Sequence, residues 1–362
     1  MNKSFWKNRK VFITGHTGFK GSWLVLILNH LGAKVTGYAL NPISKPNFFD
    51  GLKLSKLLVN DYRQDINNFS NLDKAIRKSK PSIIFHLAAQ SSVLVSYENP
   101  EDTLKTNVIG TFNLLKAIKS NNSIKSGIIV TTDKVYLNED KKINFDENSK
   151  LGGYDLYSSS KACCEIVTES FRKSFIESKT CKLATVRSGN CIGGGDWTKD
   201  RIVKDCVEAF IEDKDLLIRS PNATRPWQHV IEHICGYLKL AEKLAGKNGK
   251  KFIGSWNFGP SKINLSVLKL AKLGKKIFNS NSKIIIDKKK NIKHEAKYLS
   301  LNSKKSLKFL RWKVLMTPEL SLKLTFDWFR IFYKNKRNPK KVIKFSIDQF
   351  EKFLKLVKYF DT

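Results

Sequence analysis

Short apolar runs alternate with amphipathic stretches along the first half of the chain, which is the pattern of strands separated by helices. Apolar side chains recur at helical spacing between the runs. The β-prone runs are Val11–Thr14, Lys34–Leu40, Ile83–Leu87, Gly127–Thr131 and Leu183–Arg187, and the helical stretches are Gly18–Leu31, Glu101–Ser120 and Tyr157–Phe175. Such an alternation is typical of a doubly wound parallel sheet covered by helices on both faces. The sequence therefore predicts an α/β fold.

The regular alternation ends near Gly189, where loops containing Gly and Pro take over. A chain of 362 residues has room for about two domains at roughly 150 residues each. We predict a first domain over 1–188, with some elements returning to it from 225–262, and a smaller C-terminal domain over 189–362. The second domain is expected to include the helical stretch Leu265–Phe278 and a lysine-rich tail.

A glycine-rich segment joins the first predicted strand to the first predicted helix and reads Gly-His-Thr-Gly-Phe-Lys-Gly over residues 15–21. Glycines let the backbone approach phosphates closely, and the free N–H groups of a helix N-terminus attract them. The segment predicts a dinucleotide-binding loop of the Rossmann type. The residues expected to contact the dinucleotide are Gly15, Thr17, Gly18, Phe19, Lys20 and Gly21. His16 is expected to pack beside the cofactor without a chemical role.

The end of the second predicted strand bears on which dinucleotide is bound. NAD-binding proteins usually carry an acidic residue there, which bonds the ribose hydroxyls. This chain has Tyr-Ala-Leu-Asn over residues 38–41, with neither an acid nor an arginine. An arginine would favour the phosphate of NADP. We therefore expect NAD as the cofactor.

Tyr157 and Lys161 form a Tyr-x-x-x-Lys pair in the third predicted helix. Side chains four residues apart project from one face of a helix. A nearby ammonium favours the phenolate and lowers the pKa of a tyrosine from about 10 toward working pH. Such a tyrosine removes a proton from an alcohol while the carbon of that alcohol gives up hydride. The pair and the dinucleotide loop together predict hydride chemistry at an alcohol.

These features resemble the extended short-chain dehydrogenase/reductase superfamily, and further motifs resemble its nucleotide-sugar 4,6-dehydratase branch. The segment Thr131-Thr132-Asp133-Lys134 resembles the Thr-Asp-Glu signature of that branch with Lys in place of Glu, as in CDP-glucose 4,6-dehydratases. The other matching segments are 65–66, 87–90, 106–111, 152–155, 187–197, 199–201, 225–230, 256–260 and His294-Glu295-Ala296.

The resemblance implies an NAD-binding first domain and a second domain that is mainly substrate-binding. Cofactor contacts are implied for Asp65, Ile66, Ala88, Ala89, Gln90, Asn107, Thr131, Tyr157 and Lys161. Catalytic roles are implied for Thr132, Asp133, Lys134, Tyr157 and Lys161. Substrate contacts are implied for Asn190, Arg201, Arg225 and His229. Arginines suit a diphosphate, whereas Arg187 has either a structural or a substrate-side role.

The implied reaction converts CDP-glucose to CDP-4-keto-6-deoxyglucose. Tyr157 takes the proton of the 4-hydroxyl, which Thr132 holds in line, and Asp133 protonates the departing 6-hydroxyl. The alternatives are another nucleotide-sugar 4,6-dehydratase, a 4-epimerase and a non-catalytic NAD-sensing regulator. An epimerase needs no acid–base pair for elimination, so Asp133-Lys134 argues against it. The presence of both Tyr157 and Lys161 argues against the regulator.

Lys134 stands where the Thr-Asp-Glu enzymes have a carboxylate that is the natural base for C5. A lysine ionises near about pH 10.4 in water, so this one must be neutral to accept a proton. We hypothesise that Lys134 is the C5 base, or else an electrostatic clamp on the enolate while another group takes the proton.

A net charge of +34, from 66 basic and 32 acidic residues, raises the question of a nucleic-acid partner. Of this excess, 31 − 8 = +23 follows Leu240. Most of these cations are lysines, whereas nucleic-acid surfaces tend to use arginine and stacked aromatics. We expect a solvated surface, no specific nucleic-acid partner and only weak, salt-sensitive binding to polyanions.

Six cysteines lack the paired short spacing of a zinc site, so we expect no metal and reduced thiols in a cytoplasmic protein. The glycine-rich loop interrupts the first apolar run too early for a signal peptide, and no run of about 18 apolar residues predicts a membrane span. A homodimer is expected through Glu101–Ser120 and Tyr157–Phe175. Two observations support it: the family resemblance, and an apolar stripe formed by Val108, Leu114, Leu115 and Ile118.

Overall fold

The structure, a computed structural model, describes residues 1–139, 141–176, 181–260, 265–287, 298–335 and 338–361. Its centre is a sheet of seven strands: β1 (Lys10–Thr14), β2 (Lys34–Ala39), β3 (Asn60–Arg63), β4 (Ile83–His86), β5 (Ser126–Val130), β6 (Lys182–Ser188) and β7 (Gly254–Phe258). They lie in the order β7-β6-β5-β4-β1-β2-β3, and every neighbouring pair is parallel. The predicted doubly wound parallel sheet is confirmed. Its strand order reverses between β1 and β4, and ligands bind at the carboxyl ends of strands at such a point.

Helices cover both faces of this sheet. The longer ones are α1 (Phe19–His30), α2 (Phe69–Ser79), α3 (Gly110–Lys119), α4 (Leu156–Phe171), α5 (Ile202–Ile211), α6 (Val230–Ala245), α7 (Val267–Phe278), α8 (Pro318–Lys334) and α9 (Pro339–Asp361). Shorter helical segments are Lys3–Trp6, Phe48–Gly51, Leu54–Leu57, Val93–Glu98, Pro100–Leu104, Lys105–Ile109, Asp133–Val135, Arg172–Ile176, Gly249–Phe252 and Lys304–Leu310. Short strands pair as Asn144–Phe145 with Ser300–Leu301, Cys191–Ile192 with Gln228–His229, Leu216–Ile218 with Ile284–Ile286, and Thr224–Arg225 with Leu265–Ser266. No helix in the described ranges is long and apolar enough to cross a membrane.

The five predicted strands are present to within one residue at each end. The predicted helix Glu101–Ser120 is instead broken by a π-helical turn at Lys105–Ile109. The edge strands β3 and β7 were not predicted, because β3 is short and polar and β7 follows the loss of the regular pattern. The strand β7 and the helix α6 return to the sheet from the second half of the chain. Residues 261–262 of the predicted return lie outside the described residues, as does the motif 294–296.

Two apolar layers enclose the sheet. One includes the side chains of α1, α6 and α8, such as Trp23 and Trp328. The other includes α2 and α3, with Leu114, Leu115 and Ile118 at most 2% exposed. These three residues of the stripe that motivated the dimer prediction therefore pack against the chain's own sheet, whereas Val108 is half-buried, and another surface would have to form the dimer.

The glycine run 193–195 is a packing feature. A Cβ on Gly194 would lie 2.0 Å from Trp328 Cγ, and a Cβ on Gly195 would lie 2.0 Å from Phe48 Cδ2. The Phe48 and Trp328 rings stack with centroids 5.3 Å apart. The absence of side chains at these glycines lets α8 pack closely on the segment that follows β2.

A buried carboxylate fixes the chain just before α8. Glu232, in the first turn of α6, accepts hydrogen bonds from the Leu315 nitrogen at 2.7 Å and the Met316 nitrogen at 3.0 Å. The Trp312 indole donates to the Glu232 carbonyl over 3.1 Å. Burial raises the pKa of Glu232 to about 7, against the lowering effect of the two backbone hydrogen bonds.

We predict that E232Q removes a pH dependence of stability. Between about pH 4.5 and pH 7 the folded protein holds a proton on Glu232 that the unfolded chain releases, so stability falls as pH rises through this range. The variant should be on the order of 2 kcal/mol more stable than the parent at pH 8 and similar at pH 4.5. Urea unfolding at both pH values measures this. E319Q, at an exposed carboxylate in the same region, should change neither value; an E232Q curve parallel to the parent's would contradict the prediction.

Candidate active site

The loop between β1 and α1 has the geometry of an anion cradle. Gly15 has a φ of +74°, and a Cβ there would lie 2.5 Å from the Ala88 nitrogen. A Cβ on Gly21 would lie 2.1 Å from the Gly15 carbonyl oxygen. Gly18 has more space, since the first atom that its Cβ would meet is that oxygen at 3.5 Å. Gly18 precedes α1 and has no side chain to cap it, so the loop fits a dinucleotide pyrophosphate.

A carboxylate of the neighbouring strand lies beside the second half of β2. Asp61 of β3 lies in register with Gly37 and is bonded to His16 Nε2 at 2.8 Å and Arg63 Nε at 2.7 Å. Burial raises the pKa of Asp61, but His16 and Arg63 outweigh it and bring the pKa to about 2. The sequence did not predict this acid, because it lies on β3 and not at the end of β2. His16 packs and orients Asp61, in line with its predicted non-chemical role.

Further residues predicted to contact the cofactor lie at the same edge. The Thr17 hydroxyl donates to the Leu40 carbonyl over 2.9 Å. Asp65 is exposed, and its carbonyl accepts from the Tyr38 hydroxyl at 3.0 Å. Ile66 is buried, with Cγ2 2.7 Å from where a Cβ on Gly110 would stand.

A buried network ties the end of β4 to the central helices. Asn107, in the π-helical turn, accepts from the Gln90 nitrogen at 2.9 Å and donates to Ser160 Oγ at 2.8 Å. Turns of this kind are frequent at functional sites. Ala88 donates its N–H to Thr14 Oγ1 over 3.3 Å, and both Ala88 and Ala89 are half-buried. This arrangement holds residues 88–90 against the predicted cofactor cleft.

His86, which the sequence reasoning did not single out, lies behind this network. Its ring nitrogens contact Thr14 Oγ1 at 2.7 Å and Thr111 Oγ1 at 3.0 Å. Burial, with a smaller effect of Lys161, lowers the pKa of His86 to about 3. The ring is therefore neutral and joins β1, β4 and α3.

Three predicted catalytic side chains meet at the carboxyl end of β5. Thr132 Oγ1 donates to Asp133 Oδ1 over 3.1 Å, and the same hydroxyl is hydrogen-bonded to Tyr157. Asp133 is 2% exposed and Tyr157 is 8% exposed. The second Asp133 oxygen is 3.0 Å from where a Cβ on Gly189 would stand, so this glycine makes room for the carboxyl group. A hydroxyl, a carboxyl and a phenol thus share one desolvated site.

Asp133 is held in a state suited to donating a proton. Burial raises the pKa of its carboxyl group above the usual range. Lys134, the Thr132 hydrogen bond, Arg225 and Lys20 oppose the rise without reversing it. A carboxyl group with this bias retains its proton to higher pH than an exposed aspartate does.

Burial also raises the pKa of Tyr157, whereas the sequence predicted a lowering by Lys161. The Thr132 hydrogen bond and the charges of Arg201 and Lys20 lower the pKa, and Asp133 raises it. The net rise follows because desolvation disfavours the phenolate by more than the neighbouring cations favour it.

Lys161 points toward the sheet. Its Nζ donates to the Val130 carbonyl over 3.0 Å, and burial lowers the pKa of its ammonium.

Thr131 donates to Glu165 Oε1 over 2.5 Å. Lys134 is half-buried, and its backbone nitrogen donates to Thr132 Oγ1 over 3.4 Å.

The predicted substrate residues are two arginines whose charges act on the catalytic cluster and two residues, Asn190 and His229, that do not act on it by charge. Arg201 is exposed just before α5 and Arg225 is buried, and their charges act on Tyr157 and Asp133 respectively. Asn190 is half-buried, and its carbonyl accepts from the Gln228 nitrogen at 3.0 Å. His229 lies in the core, its ring centroid 6.2 Å from that of Trp23. Burial lowers the pKa of His229 to about 3.

Arg187 has a structural role. Its Nη2 pairs with Glu165 Oε2 at 2.9 Å, and both side chains are 3% exposed. Its Nη1 donates to the Tyr136 hydroxyl over 2.9 Å. Removing either partner would leave an uncompensated buried charge, which is strongly destabilising.

Comparisons with known proteins identify the family of the chain. The family model of GDP-mannose 4,6 dehydratase matches residues 12–323. The chain is 42% identical over 322 residues to a CDP-glucose 4,6-dehydratase of Salmonella typhimurium, covering 86% of this chain and 88% of that protein. It is 30% identical over 227 residues to a dTDP-D-glucose 4,6-dehydratase of Dictyostelium discoideum, covering 58% of this chain and 50% of that protein.

Solved structures share the fold. A UDP-glucose 4-epimerase of Thermotoga maritima superposes with a TM-score of 0.76 at 24% identity, over 88% of this chain and 98% of that one. A dTDP-glucose 4,6-dehydratase of Bacillus anthracis in complex with NAD gives a TM-score of 0.74 at 21% identity, over 91% and 98%. The resemblance inferred from the motifs is confirmed by the family match. The chain belongs to the GDP-mannose 4,6-dehydratase family of nucleotide-sugar-modifying enzymes.

Proposed function

We propose that this protein is an NAD-dependent nucleotide-sugar 4,6-dehydratase whose substrate is CDP-glucose. The observation that carries the proposal is the buried cluster of Thr132, Asp133 and Tyr157, in which burial favours a protonated carboxyl group beside a phenol. Dehydration needs an acid for the leaving hydroxyl as well as a base for the 4-hydroxyl. The Salmonella typhimurium relative, whose name specifies CDP-glucose, supports the choice of nucleotide.

NAD would be held by the loop Gly15–Gly21 at its pyrophosphate and by the edge between Asp61 and Ile66 at its adenosine. The bound cofactor would supply the acceptor for the hydride of C4 and the donor of hydride to C6. Arg63 is paired with Asp61 and also donates to Asn41 Oδ1 over 3.1 Å, so its charge is already partly neutralised. This pairing favours NAD over NADP, whose extra phosphate needs an arginine for itself.

The side chains divide the proton transfers. Tyr157, as the phenolate, takes the proton of the 4-hydroxyl while Thr132 orients that hydroxyl. The resulting ketone acidifies the proton at C5, and we assign removal of that proton to Lys134. Asp133 then gives its proton to the 6-hydroxyl as water leaves. We assign the diphosphate to Arg201 and Arg225, whose charges act on Tyr157 and Asp133, and the substrate side mainly to residues 189–362.

A panel of CDP-, dTDP-, GDP- and UDP-sugars tests the proposal, with the alkali-induced absorbance of a 4-keto sugar as the readout. CDP-glucose should give this absorbance, and mass analysis should detect a 6-deoxy product. A product that differs from the substrate only in configuration at C4 would establish an epimerase instead. NAD binding without turnover of any sugar would favour the regulator.

We predict that K134M retains the first oxidation and loses the exchange at C5. The side chain stands beside Asp133 in the motif, and methionine keeps its length without a basic nitrogen. Solvent deuterium should no longer enter C5, while transient reduced-cofactor absorbance persists. K150M, at an exposed lysine nearby, serves as the control. Parental turnover by K134M would show that Lys134 has no chemical role.

A homodimer is also proposed, through the outer faces of the segments 100–119 and 156–176. Large apolar side chains there are exposed although the opposite faces pack on the sheet: Leu104 at 41%, Ile109 at 49%, Phe112 at 39%, Ile166 at 56% and Phe175 at 46%. Apolar patches of this kind mark protein interfaces. These exposed side chains form an apolar surface on the two segments, whereas Leu114, Leu115 and Ile118 of the predicted stripe are buried in the chain's own core.

Light scattering at micromolar concentration is expected to give twice the chain mass of 41.4 kDa. I166E combined with F112E should give the monomer mass, because charges on both helices cannot be buried unpaired. I285E changes an isoleucine that is 45% exposed on another face and should leave the dimer intact. A monomeric parent protein would refute the proposal.

We propose a cytoplasmic location. All six cysteines are free and four of them are buried, as suits a reducing compartment. Fluorescence of a tagged protein in cells, compared with a secreted standard, tests this.

A further inference from the structure

Glu165 is a buried carboxylate that the proposed proton transfers do not use. It lies on α4 about two helical turns after Tyr157 and one turn after Lys161, and it is 3% exposed. Its Oε1 accepts from the Thr131 hydroxyl at 2.5 Å, and its Oε2 accepts from the Thr185 hydroxyl at 2.5 Å. The side chain therefore connects the helix that carries Tyr157 to the central sheet.

The hydrogen bonds of this carboxylate divide between two strands. Thr131 directly follows β5, whereas Thr185 belongs to β6. Arg187, also of β6, donates its Nη2 to Oε2 over 2.9 Å. Two donors of β6 thus hold Oε2, whereas the end of β5 reaches the carboxylate through Oε1 and the Thr131 hydroxyl.

The bond to Oε1 lies next to the catalytic cluster. Thr131 precedes Thr132, whose hydroxyl is hydrogen-bonded to Tyr157. Lys161 holds the same strand end, since its Nζ donates to the Val130 carbonyl over 3.0 Å. Two side chains of α4, one helical turn apart, thus hold two consecutive residues at the end of β5. The distance from Thr132 on the strand side to Tyr157 on the helix depends on this attachment.

We infer that Glu165 is a positioning residue, which keeps the strand end that carries Thr132 at working distance from Tyr157. The inference rests on the proposed function, in which Thr132 orients the 4-hydroxyl while Tyr157 takes its proton, so both must reach one oxygen of the substrate. A misplacement of about 1 Å can lower a rate by about 10²-fold. The carboxylate resists such a shift, because moving β5 away from α4 would leave a buried polar atom unpaired.

The test uses the two threonines that donate to this one carboxylate. T131V removes the hydroxyl that joins β5 to Oε1, while the Thr131 nitrogen still donates to the Val186 carbonyl over 2.9 Å, which keeps the two strands paired. T185V removes the matched hydroxyl on β6 and leaves Oε2 its bond to Arg187. T131S keeps the hydroxyl at the first position.

With NAD at saturation, T131V should lower kcat for 4-keto sugar formation from CDP-glucose by roughly tenfold. The KM of CDP-glucose and the dissociation constant of NAD should stay close to parental. CDP-glucose that carries deuterium at C4 should show a larger isotope effect on kcat than in the parent, because oxidation has become slower. T185V and T131S should keep the parental kcat and isotope effect. Both valine variants should unfold at a lower temperature, so stability and catalysis are read separately.

A parental kcat in a folded T131V would overturn the inference, and so would an equal loss of kcat in T185V, which would indicate general loosening of α4. Weaker NAD binding with a parental kcat would make Thr131 a cofactor contact alone and would also overturn it. If T131V does not fold, T131A replaces it, since it lacks the same hydroxyl and places less bulk against Glu165. A parent protein that forms no 4-keto sugar from any sugar of the panel overturns the proposed function, and the inference with it.

Discussion

Y157F is expected to lower the rate of 4-keto sugar formation by roughly 10²–10⁴-fold, the usual contribution of a positioned acid or base. The change removes only the hydroxyl that exchanges protons with the substrate. The ring, which is 8% exposed, remains to fill its place beside Thr132. Incubation with CDP-glucose and alkali-induced absorbance measure the loss, and NAD binding should persist.

Y154F is the matched control, because it deletes the same atom from a tyrosine that is 71% exposed at the start of the same segment. It should retain most of the parental rate. Since burial raises the pKa of Tyr157, the phenolate becomes less abundant as pH falls, and the parental rate should fall with it on the acid side. A Y157F protein with more than a tenth of the parental rate would remove Tyr157 from the mechanism.

Local features of this fold were predictable from the sequence. The apolar runs gave five central strands to within a residue, because a buried parallel strand must be apolar on both faces. The glycines of residues 15–21 were recognisable because only a residue without a side chain fits where a Cβ would lie 2.1 Å or 2.5 Å from backbone. The Tyr157–Lys161 spacing was recognisable because four residues make about one helical turn.

Features that depend on contacts between distant segments were not predictable. Asp61 reaches the end of β2 only because β3 pairs with it, and Arg187 finds Glu165 only when β6 packs on α4. Lys20 Nζ donates to Ser188 Oγ at the end of β6, which lies 168 positions later in the chain. The spacing of residues along the sequence does not specify any of these contacts.

The packing role of three glycines was not predictable for the same reason. Gly193-Gly194-Gly195 belongs to the segment 187–197, which matches the family. In the fold, Gly194 faces Trp328 and Gly195 faces Phe48, so these positions accommodate aromatic rings. The dimer surface was not predictable from the apolar stripe that includes Leu114 and Leu115, since such a stripe does not say which surface covers it.

D133N is expected to uncouple oxidation from loss of water. Asn keeps the size of the side chain and can still accept from Thr132 Oγ1, which lies 3.1 Å from Oδ1 in the parent, so the 4-hydroxyl should still be oxidised. The amide cannot deliver a proton to the 6-hydroxyl, and the rate of 6-deoxy product formation should fall by roughly 10²–10⁴-fold. Reduced-cofactor absorbance should therefore accumulate with CDP-glucose, and borohydride trapping followed by mass analysis should find a hexose that has not lost water.

The pH dependence of the parent gives an independent check on this role. Burial raises the pKa of Asp133, so the carboxyl group that donates the proton persists above the pH at which an exposed aspartate ionises, and the elimination step should slow as pH rises through that pKa. This alkaline fall should disappear from the elimination step in D133N, where the titrating group is absent. D348N, at an exposed aspartate of α9, controls for the loss of one negative charge. If D133N released the 6-deoxy product at the parental rate, another group would have to be the acid, because no neutral amide can replace a carboxyl proton.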